Sequence, residues 1–381
     1  MPNGDEEEVE YTPMKMGARN PFVYAEHRLG TTINWSQMDQ TNKKIKLKDA
    51  FGKDYEKIFD PRNGSDLSVQ TDVATGDLRP CITVSAPVWN QNGTTYTDAT
   101  RAYSDPVQGD LPDCYFIAAL SSLAFLNMIP NNQLDGSGNY NYTFYKPPAN
   151  EGGVATPSNP IPVTIKQPLD STGKYHYSRS FTPGEIWVAM YEKAFARWVG
   201  NNTDTPDYKP ICQGDPMLAL INLTGRKFKT FIPGTESVAS STKTRYSTQN
   251  FQDGNQIYTK IKDYACKPYL GYNIAKVPMV AYTYDPRIEV PPGGITYTDA
   301  TIVGNHAYSV MGVHTKDSKN YIVMRNPWGQ KDPDPAGLPQ GALVSGSWYM
   351  KPDLSLSTDA FFALRADVFK NYFKGFGWVY Q

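Results

Sequence analysis

Three side chains that lie far apart along the sequence have the types needed for thiol-based acyl transfer. Cys114 lies at the start of an apolar run with Gln108 six positions before it, and His306 and Asn326 follow much later. In such chemistry a thiolate attacks a carbonyl carbon, an imidazole carries the proton, and an amide orients the imidazole. A glutamine side chain can also help to hold the oxyanion. Cys114, His306, Asn326 and Gln108 are therefore the candidate catalytic residues.

The residues around Cys114 predict a helix that begins at the cysteine. Asp113 is a good N-cap residue and Pro112 restricts the chain before it. Apolar residues then follow at helical spacing as far as Pro130. Cys114 would occupy the first helical position, where the partial positive charge of the helix end favours a thiolate over a thiol. The alternative is an ordinary buried cysteine.

His306 and Asn326 are 20 residues apart, on either side of a polar turn. If 306–314 and 321–325 pair as an antiparallel hairpin, the chain folds back and brings the two side chains together. Trp328 would then shield their contact from water. Taken alone, His306 could be an ordinary surface histidine, and Asn326 with Pro327 could simply begin a turn. Their combination with the Cys114 motif favours a catalytic role.

The predicted elements that carry these residues divide the chain. Residues 1–85 are polar and mixed, and we interpret them as an N-terminal extension. Residues 86–225 contain the Cys114 helix, a second helix over 182–199 with a capping-box pattern at its start, and a short helix within 211–224. Residues 226–381 are mainly β, with strands at 227–232, 277–284, 306–314 and 321–325. The sequence therefore predicts an α+β fold in which a helical lobe carries the cysteine and a β-rich lobe carries the histidine and asparagine.

Composition argues against several other classes of protein. The chain has 381 residues and a net charge of −1, with no dense run of Lys or Arg, so we expect neither nucleic acid nor an anionic membrane as partner. No stretch approaches the roughly 20 apolar residues of a membrane span, and the acidic start is not a signal peptide. The four cysteines show no CxxC pairing and are predicted to be reduced thiols of a cytoplasmic protein. No phosphate loop or nucleotide fingerprint is present, so no nucleotide or organic cofactor is expected.

Three separated blocks resemble the catalytic core of the calpain family of cysteine peptidases. They are Gln108-Gly-Asp-Leu-Pro-Asp-Cys114, Glu185–Ala196, and Gly304–Val310 together with Arg325–Gly329. The resemblance covers roughly residues 85–381. It implies a papain-like two-lobed core, limited proteolysis of proteins or peptides inside the cell, and a Cys114, His306 and Asn326 triad. It also implies Gln108 as the oxyanion residue and Trp328 as an aromatic wedge beside the substrate cleft.

The sequence departs from the family pattern at three positions near the reacting groups. Pro112 stands where the family usually has glycine, Tyr115 where it usually has tryptophan, and Asn305 between the glycine and the histidine of the third block. None of these changes removes a reacting group, so the resemblance still implies an active enzyme. The chain ends soon after the core, and a small regulatory subunit is therefore not implied.

The resemblance also implies calcium, because calpain cores bind it in each lobe and the ions draw the lobes together. Asp105 and Glu185 match the carboxylates of the first lobe, and Asp332 matches a ligand of the second. Ca²⁺ takes oxygen ligands, and carboxylates with loop carbonyls are a suitable start. Glu185 has a second explanation, since it also completes the capping-box pattern with Thr182.

Two other functions are compatible with the same residues. A thiol acyltransferase of the transglutaminase type would use the same order of cysteine and histidine but pass the acyl group to an amine. A catalytically silent, calpain-like interaction scaffold would keep the fold without the hydrolysis.

Overall fold

The computed structural model describes part of the chain. The described residues are 47–48, 54–55, 88–90, 103–109, 111–129, 133–134, 139–148, 154–164, 167–169, 178–180, 187–200, 208–212, 214–233, 248–251, 253–285, 291, 295, 297, 302–329, 333, 335–349, 354–356 and 360–380. The division of the chain into 1–85, 86–225 and 226–381 stays a prediction.

The described residues form five α-helices, which we number in chain order. They are α1 (Cys114–Phe125), α2 (Trp187–Val199), α3 (Pro216–Thr224), α4 (Gly254–Lys260) and α5 (Ala366–Tyr372), with a π-helical turn at Ile261–Ala265 and 3-10 turns at Lys209–Ile211 and Pro335–Gly337. The predicted start of α1 at Cys114 is confirmed, as is the end of α2 at Val199. The predicted start of α2, over 182–186, lies outside the described residues.

A nine-stranded sheet is the largest element of the fold. Its strands are β1 (Lys227–Pro233), β2 (Thr248–Phe251), β3 (Cys266–Tyr269), β4 (Tyr272–Thr283), β5 (Ala307–Lys316), β6 (Lys319–Arg325), β7 (Leu343–Val344), β8 (Phe361–Arg365) and β9 (Phe373–Tyr380). Their order is β2-β1-β9-β4-β5-β6-β8-β7, with β3 paired to β4. The four predicted strands are confirmed as β1, β4, β5 and β6, and β5 pairs with β6 as the expected antiparallel hairpin.

Shorter strands pair outside this sheet. They are Leu47–Lys48 with Asp54–Tyr55, Val88–Asn90 with Gln167–Leu169, Pro106–Val107 with Arg179–Ser180, Gln133–Leu134 with Asn139–Tyr142 and Ile161–Thr164, Tyr145–Lys146 with Thr156–Pro157, and Gly346–Tyr349 with Leu354–Leu356. The pair at Pro106–Val107 and Arg179–Ser180 supports the segment that leads into the Gln108 motif.

Helix α1 lies between the sheet and helices α2 and α3, and all of its residues are buried. On the sheet side, the Ser309 hydroxyl of β5 donates to the Ala118 carbonyl at 2.7 Å, and the Met279 N–H of β4 donates to the Ser122 hydroxyl at 2.8 Å. On the other side Phe116 stacks on Phe195 of α2, with ring centroids 4.3 Å apart. The helix that begins at Cys114 is therefore anchored directly to the strand that follows His306.

The prediction of four reduced thiols is wrong at Cys212, which is disulfide-bonded. Cys114 and Cys266 are free and buried. Folding brings distant parts of a chain together, so wide spacing along the sequence does not prevent pairing. Disulfides are rare in cytosolic proteins, and the thiol-based reason for a cytoplasmic location therefore no longer holds.

None of the helices within the described residues has both the length and the apolar character needed to cross a lipid bilayer.

Candidate active site

The start of α1 is built by backbone hydrogen bonds. The Asp113 carbonyl accepts from the N–H groups of Phe116 and Ile117, at 2.8 and 3.2 Å. The Asp113 side chain makes no capping hydrogen bond, although the residue occupies the N-cap position as predicted. Its carboxyl group is instead fully buried against Glu192 of α2. The sequence pattern therefore predicted the N-cap position of Asp113 correctly, but the predicted capping by its side chain is wrong.

The backbone of His306 is fixed by Thr283, the last residue of β4. The Thr283 hydroxyl accepts from the His306 N–H at 3.0 Å and donates to the Val303 carbonyl at 2.8 Å. The Thr283 N–H in turn donates to the His306 carbonyl at 3.0 Å. Both residues are buried, and this clamp holds the histidine just before β5 begins.

Asn305, one of the departures from the family pattern, lies next to this clamp in a left-handed backbone conformation, with φ of 53°. Asparagine adopts this conformation more readily than most residues. Its N–H donates to the Tyr284 carbonyl at 2.7 Å. The residue type at position 305 therefore suits the turn that presents His306.

The side chains of His306 and Asn326 are hydrogen-bonded, with 2.9 Å between Nε2 and Oδ1. The Trp328 N–H also donates to Oδ1, at 3.1 Å. Because an N–H group needs an acceptor, this contact identifies the amide atom that faces the ring as oxygen. Nε2 must then carry the proton in the neutral imidazole, which leaves Nδ1 as the basic nitrogen.

Trp328 and Tyr308 enclose the imidazole. The ring centroids of Trp328 and His306 are 4.9 Å apart. The Tyr308 ring makes an edge-to-face contact with the same imidazole, also with 4.9 Å between the ring centroids. Burial raises the pKa of Tyr308, and the nearby Cys114 raises it further. Cys114 and Ala307 belong to the same packed cluster. The thiol thus lies within electrostatic reach of a phenol that contacts the imidazole.

Gln108 is buried beside the segment that follows Asn326. Its N–H donates to the Pro327 carbonyl at 2.9 Å, and its Nε2 donates to the Leu111 carbonyl at 2.7 Å. A primary amide has two N–H donors. The bond to Leu111 uses one of these donors and fixes the side chain within its own loop.

Arg325, the first residue of the Arg325–Gly329 block, connects the strand that leads to Asn326 with the Cys114 helix. Its guanidinium donates to the carbonyls of Ser104 and Pro106, at 2.7 and 2.8 Å, and to the Ser121 hydroxyl of α1 at 3.2 Å. The residue is fully buried at the end of β6, immediately before Asn326. One side chain therefore ties the asparagine strand to the cysteine helix and to the segment before Gln108.

Of the three predicted calcium ligands, the described residues include Asp105. Its carboxylate is buried and accepts a hydrogen bond from the Trp187 indole at 3.2 Å. Glu185 and Asp332 lie outside the described residues. Within the described part of the chain no group of three or more His, Cys, Asp or Glu residues is placed to hold a metal ion.

The two free cysteines differ in their surroundings. Cys266 is buried in β3, and burial raises the pKa of its thiol to about 12. A thiol with that pKa stays protonated and unreactive at neutral pH. Cys114, by contrast, stands at a helix N-terminus in the cluster that includes the histidine strand.

Comparison with known proteins gives a consistent result. The model of the calpain family cysteine proteases matches residues 79–336, more than half of the chain. A thiol protease of Porphyromonas gingivalis is 28% identical over 306 residues, which make up 74% of this chain and 56% of that protein. A calpain-type cysteine protease of Arabidopsis thaliana is 25% identical over 236 residues, 60% of this chain and 9% of that protein.

Human calpain-9 is 25% identical over 265 residues, 66% of this chain and 31% of that protein. The alignments span little more than half the length of the bacterial relative and smaller shares of the plant and human ones. The residues that the family model matches include Cys114, His306 and Asn326. The chain belongs to the calpain family of cysteine proteases.

Proposed function

We propose that this protein is a cysteine endopeptidase in which Cys114 is the nucleophile, His306 the general base and acid, and Asn326 the orienting residue. The observation that carries the proposal is the hydrogen bond between His306 Nε2 and Asn326 Oδ1, on a strand end that packs against the Cys114 helix. This bond fixes the tautomer that makes Nδ1 basic, which is what a thiol partner requires. Membership of the family supports the same conclusion.

The proposed reaction moves one proton and one acyl group at a time. His306 Nδ1 takes the proton of the Cys114 thiol, and the thiolate attacks the peptide carbonyl carbon. The second hydrogen of Gln108 Nε2 and the Cys114 N–H donate to the oxyanion of the tetrahedral intermediate. The imidazolium gives its proton to the leaving amine as the C–N bond breaks. Water, deprotonated by His306, then hydrolyses the thioester and restores the thiol.

The test compares the two free cysteines as alanine variants. We expect Cys114→Ala to keep its fold and lose essentially all hydrolysis of a fluorogenic peptide, whereas Cys266→Ala keeps its activity because that thiol is not ionised. Circular dichroism checks the fold of both variants. Undiminished hydrolysis by the Cys114 variant would rule the mechanism out.

The same assay separates the alternative functions. A thiol acyltransferase would join the peptide to an added amine, whereas a peptidase releases the free acid even in the presence of the amine. A catalytically silent scaffold would not be labelled at Cys114 by a thiol-directed peptide epoxide. The bacterial relative is a thiol protease, which favours hydrolysis among these outcomes.

Calcium activation is a separate proposal, and no step of the reaction above passes through a metal. It is supported by the family resemblance and by the buried Asp105 carboxylate, which lies beside Trp187 at the beginning of α2. We expect chelation to lower the activity of the wild type and Glu185→Gln to lower it at saturating calcium. If the chelator changes nothing, the calcium proposal fails and the peptidase proposal is unaffected.

A further inference from the structure

A fully buried arginine holds the chain just before the proposed oxyanion residue. The Arg325 guanidinium donates to the Ser104 carbonyl at 2.7 Å and to the Pro106 carbonyl at 2.8 Å. It also donates to the Ser121 hydroxyl of α1 at 3.2 Å. A guanidinium is a rigid, planar fork of N–H donors, so the acceptors around it keep a fixed relative position. The segment that leads to Gln108 is therefore held against the end of β6.

The turn after β6 continues this contact. The Pro327 carbonyl accepts from the Gln108 N–H at 2.9 Å. Gly329, with φ of 71°, donates its N–H to the Asn326 carbonyl at 3.1 Å. A Cβ atom at position 329 would lie 2.6 Å from the Val107 side chain, so both the backbone conformation and the close approach require glycine. The turn that presents Asn326 therefore also lies directly against Val107 and Gln108.

The helix that begins at Cys114 does not by itself fix the position of the Gln108 amide. Gln108 lies six residues before Cys114 and outside α1. An oxyanion donor must lie about 3 Å from the oxygen that becomes charged. A misplacement of about 1 Å can lower the rate of a reaction by as much as 100-fold. The contacts with β6 and the turn that follows it are placed to prevent such a misplacement.

We propose that Arg325 is a positioning residue, which sets the place of the Gln108 amide relative to His306 and Asn326. The inference rests on the proposed reaction, in which Gln108 donates to the oxyanion. Arg325 and Asn326 are consecutive, so the end of one strand fixes both the orientation of the base and the position of the oxyanion donor. The guanidinium donates to the chain before Gln108 and to α1, and its effect on the reaction passes through Gln108.

A double-mutant cycle tests whether Arg325 acts through Gln108. Methionine has a long, unbranched side chain that cannot donate, so Arg325→Met removes the three hydrogen bonds. We expect its kcat for a fluorogenic peptide to fall about tenfold with KM unchanged, because the oxyanion forms only during the reaction. Gln108→Ala should lower kcat about 100-fold. When Gln108 is already alanine, Arg325→Met should lower kcat by a further factor of less than about two.

Alkylation of Cys114 separates this positioning role from a general loosening of the site. Iodoacetamide reacts with the thiolate without forming an oxyanion, so the reaction depends on His306 and not on Gln108. We expect Arg325→Met and Gln108→Ala to be alkylated at pH 7 within about twofold of the wild-type rate. A guanidinium with only a structural role would, when removed, slow alkylation together with hydrolysis.

Arg365→Met is the matched control. Arg365 also donates to a distant carbonyl, that of Gln340 at 2.9 Å. It pairs with Tyr321, at the opposite end of β6 from Arg325. The control should therefore keep the wild-type kcat and the wild-type alkylation rate.

Gly329→Ala provides a second variant in case Arg325→Met does not fold. The added methyl group displaces Val107, and with it the neighbouring Gln108, without leaving a buried donor or acceptor unpaired. We expect the same pattern as for Arg325→Met. Its kcat should fall, its alkylation rate should not, and kcat should fall no further when Gln108 is alanine.

Three results would overturn the inference. The first is a loss of kcat that persists in full when Gln108 is alanine, because the arginine would then act on another group. The second is a wild-type kcat in a folded Arg325→Met or Gly329→Ala variant. The third is a loss of alkylation that matches the loss of hydrolysis. A failure of the peptidase proposal is seen separately, as hydrolysis that persists in Cys114→Ala.

Discussion

The two sides of the site are held in place by different kinds of interaction. Cys114 begins a helix whose residues are all buried among the side chains of α2, α3 and the sheet. His306 and Asn326 stand at strand ends, where directional hydrogen bonds to Thr283, Trp328 and other groups fix them. The proposed nucleophile is therefore positioned mainly by packing, and the proposed base mainly by polar contacts.

This difference predicts different responses to mutation. Packing energy is spread over many contacts, so losing one side chain lowers the stability of the fold and leaves the helix axis largely in place. A hydrogen bond acts through one pair of atoms, so its loss frees one orientation and costs about 1–3 kcal/mol of stability, less than the loss of a buried aromatic ring. Substitutions on the histidine side should therefore lower activity more than substitutions on the cysteine side do, and those on the cysteine side should lower stability more.

The largest effect on activity is expected at Asn326. Replacement by alanine removes the acceptor that fixes His306 Nε2, so Nδ1 no longer points reliably at the thiol. We expect kcat/KM to fall by about 10- to 100-fold, the range for one hydrogen bond to a group that becomes charged during the reaction. Peptide hydrolysis measures the loss, and the free energy of unfolding should fall by about 1–3 kcal/mol because the buried Trp328 N–H also loses its acceptor.

Asn320→Ala is the control for this substitution, because Asn320 lies at the turn end of the same β5–β6 hairpin. It should keep nearly wild-type kcat/KM. If Asn320→Ala loses as much activity as Asn326→Ala, activity depends on the integrity of the hairpin and not on the Asn326 amide.

A smaller effect on activity is expected at Thr283. Valine has the shape of threonine but lacks the hydroxyl, so the buried His306 N–H and Val303 carbonyl would each lose a partner. We expect the free energy of unfolding to fall by about 1–3 kcal/mol and kcat/KM to fall by about fivefold. Thr283→Ser keeps the hydroxyl and should restore most of the activity. Equal losses in the two variants would show that the methyl group, not the hydrogen bonds, holds the histidine.

The elements that carry the site could be predicted because their signals are local. A proline and an aspartate precede the apolar helical spacing of α1, and largely apolar runs flank a polar turn in β5 and β6. The pairing of His306 with Asn326 follows from that hairpin, and 2.9 Å separates their atoms in the structure. Local sequence therefore indicated which segments carry the candidate residues.

The contacts that complete the site depend on residues far apart in the sequence. Nothing local marks Thr283 as the partner of His306, or Arg325 as the link to α1. The Asp113 side chain was expected to cap its own helix, but it lies against the buried Glu192 carboxyl group of α2 instead. The strand β8 was also missed, because a short apolar run that leads directly into a helix carries no periodicity that marks it as a strand. Such features are set by tertiary packing.

The smallest effect on activity is expected on the cysteine side, at Phe195 of α2. Its ring stacks on Phe116 and contacts the rings of Tyr115 and Phe144, all of them buried. Phe195→Ala should lower the free energy of unfolding by about 3–5 kcal/mol, the usual cost of a buried phenylalanine. The kcat/KM per folded molecule, measured at low temperature, should stay near the wild-type value.

Val199→Ala, at the exposed end of the same helix, is the matched control and should change neither stability nor activity. Because the remaining contacts of α1 with β4 and β5 include hydrogen bonds from Met279 and Ser309, the helix keeps its position when one ring is lost. A large loss of kcat/KM in fully folded Phe195→Ala would contradict the proposed difference between the two sides of the site. It would mean that a single packing contact orients the thiol as strictly as a hydrogen bond orients the imidazole.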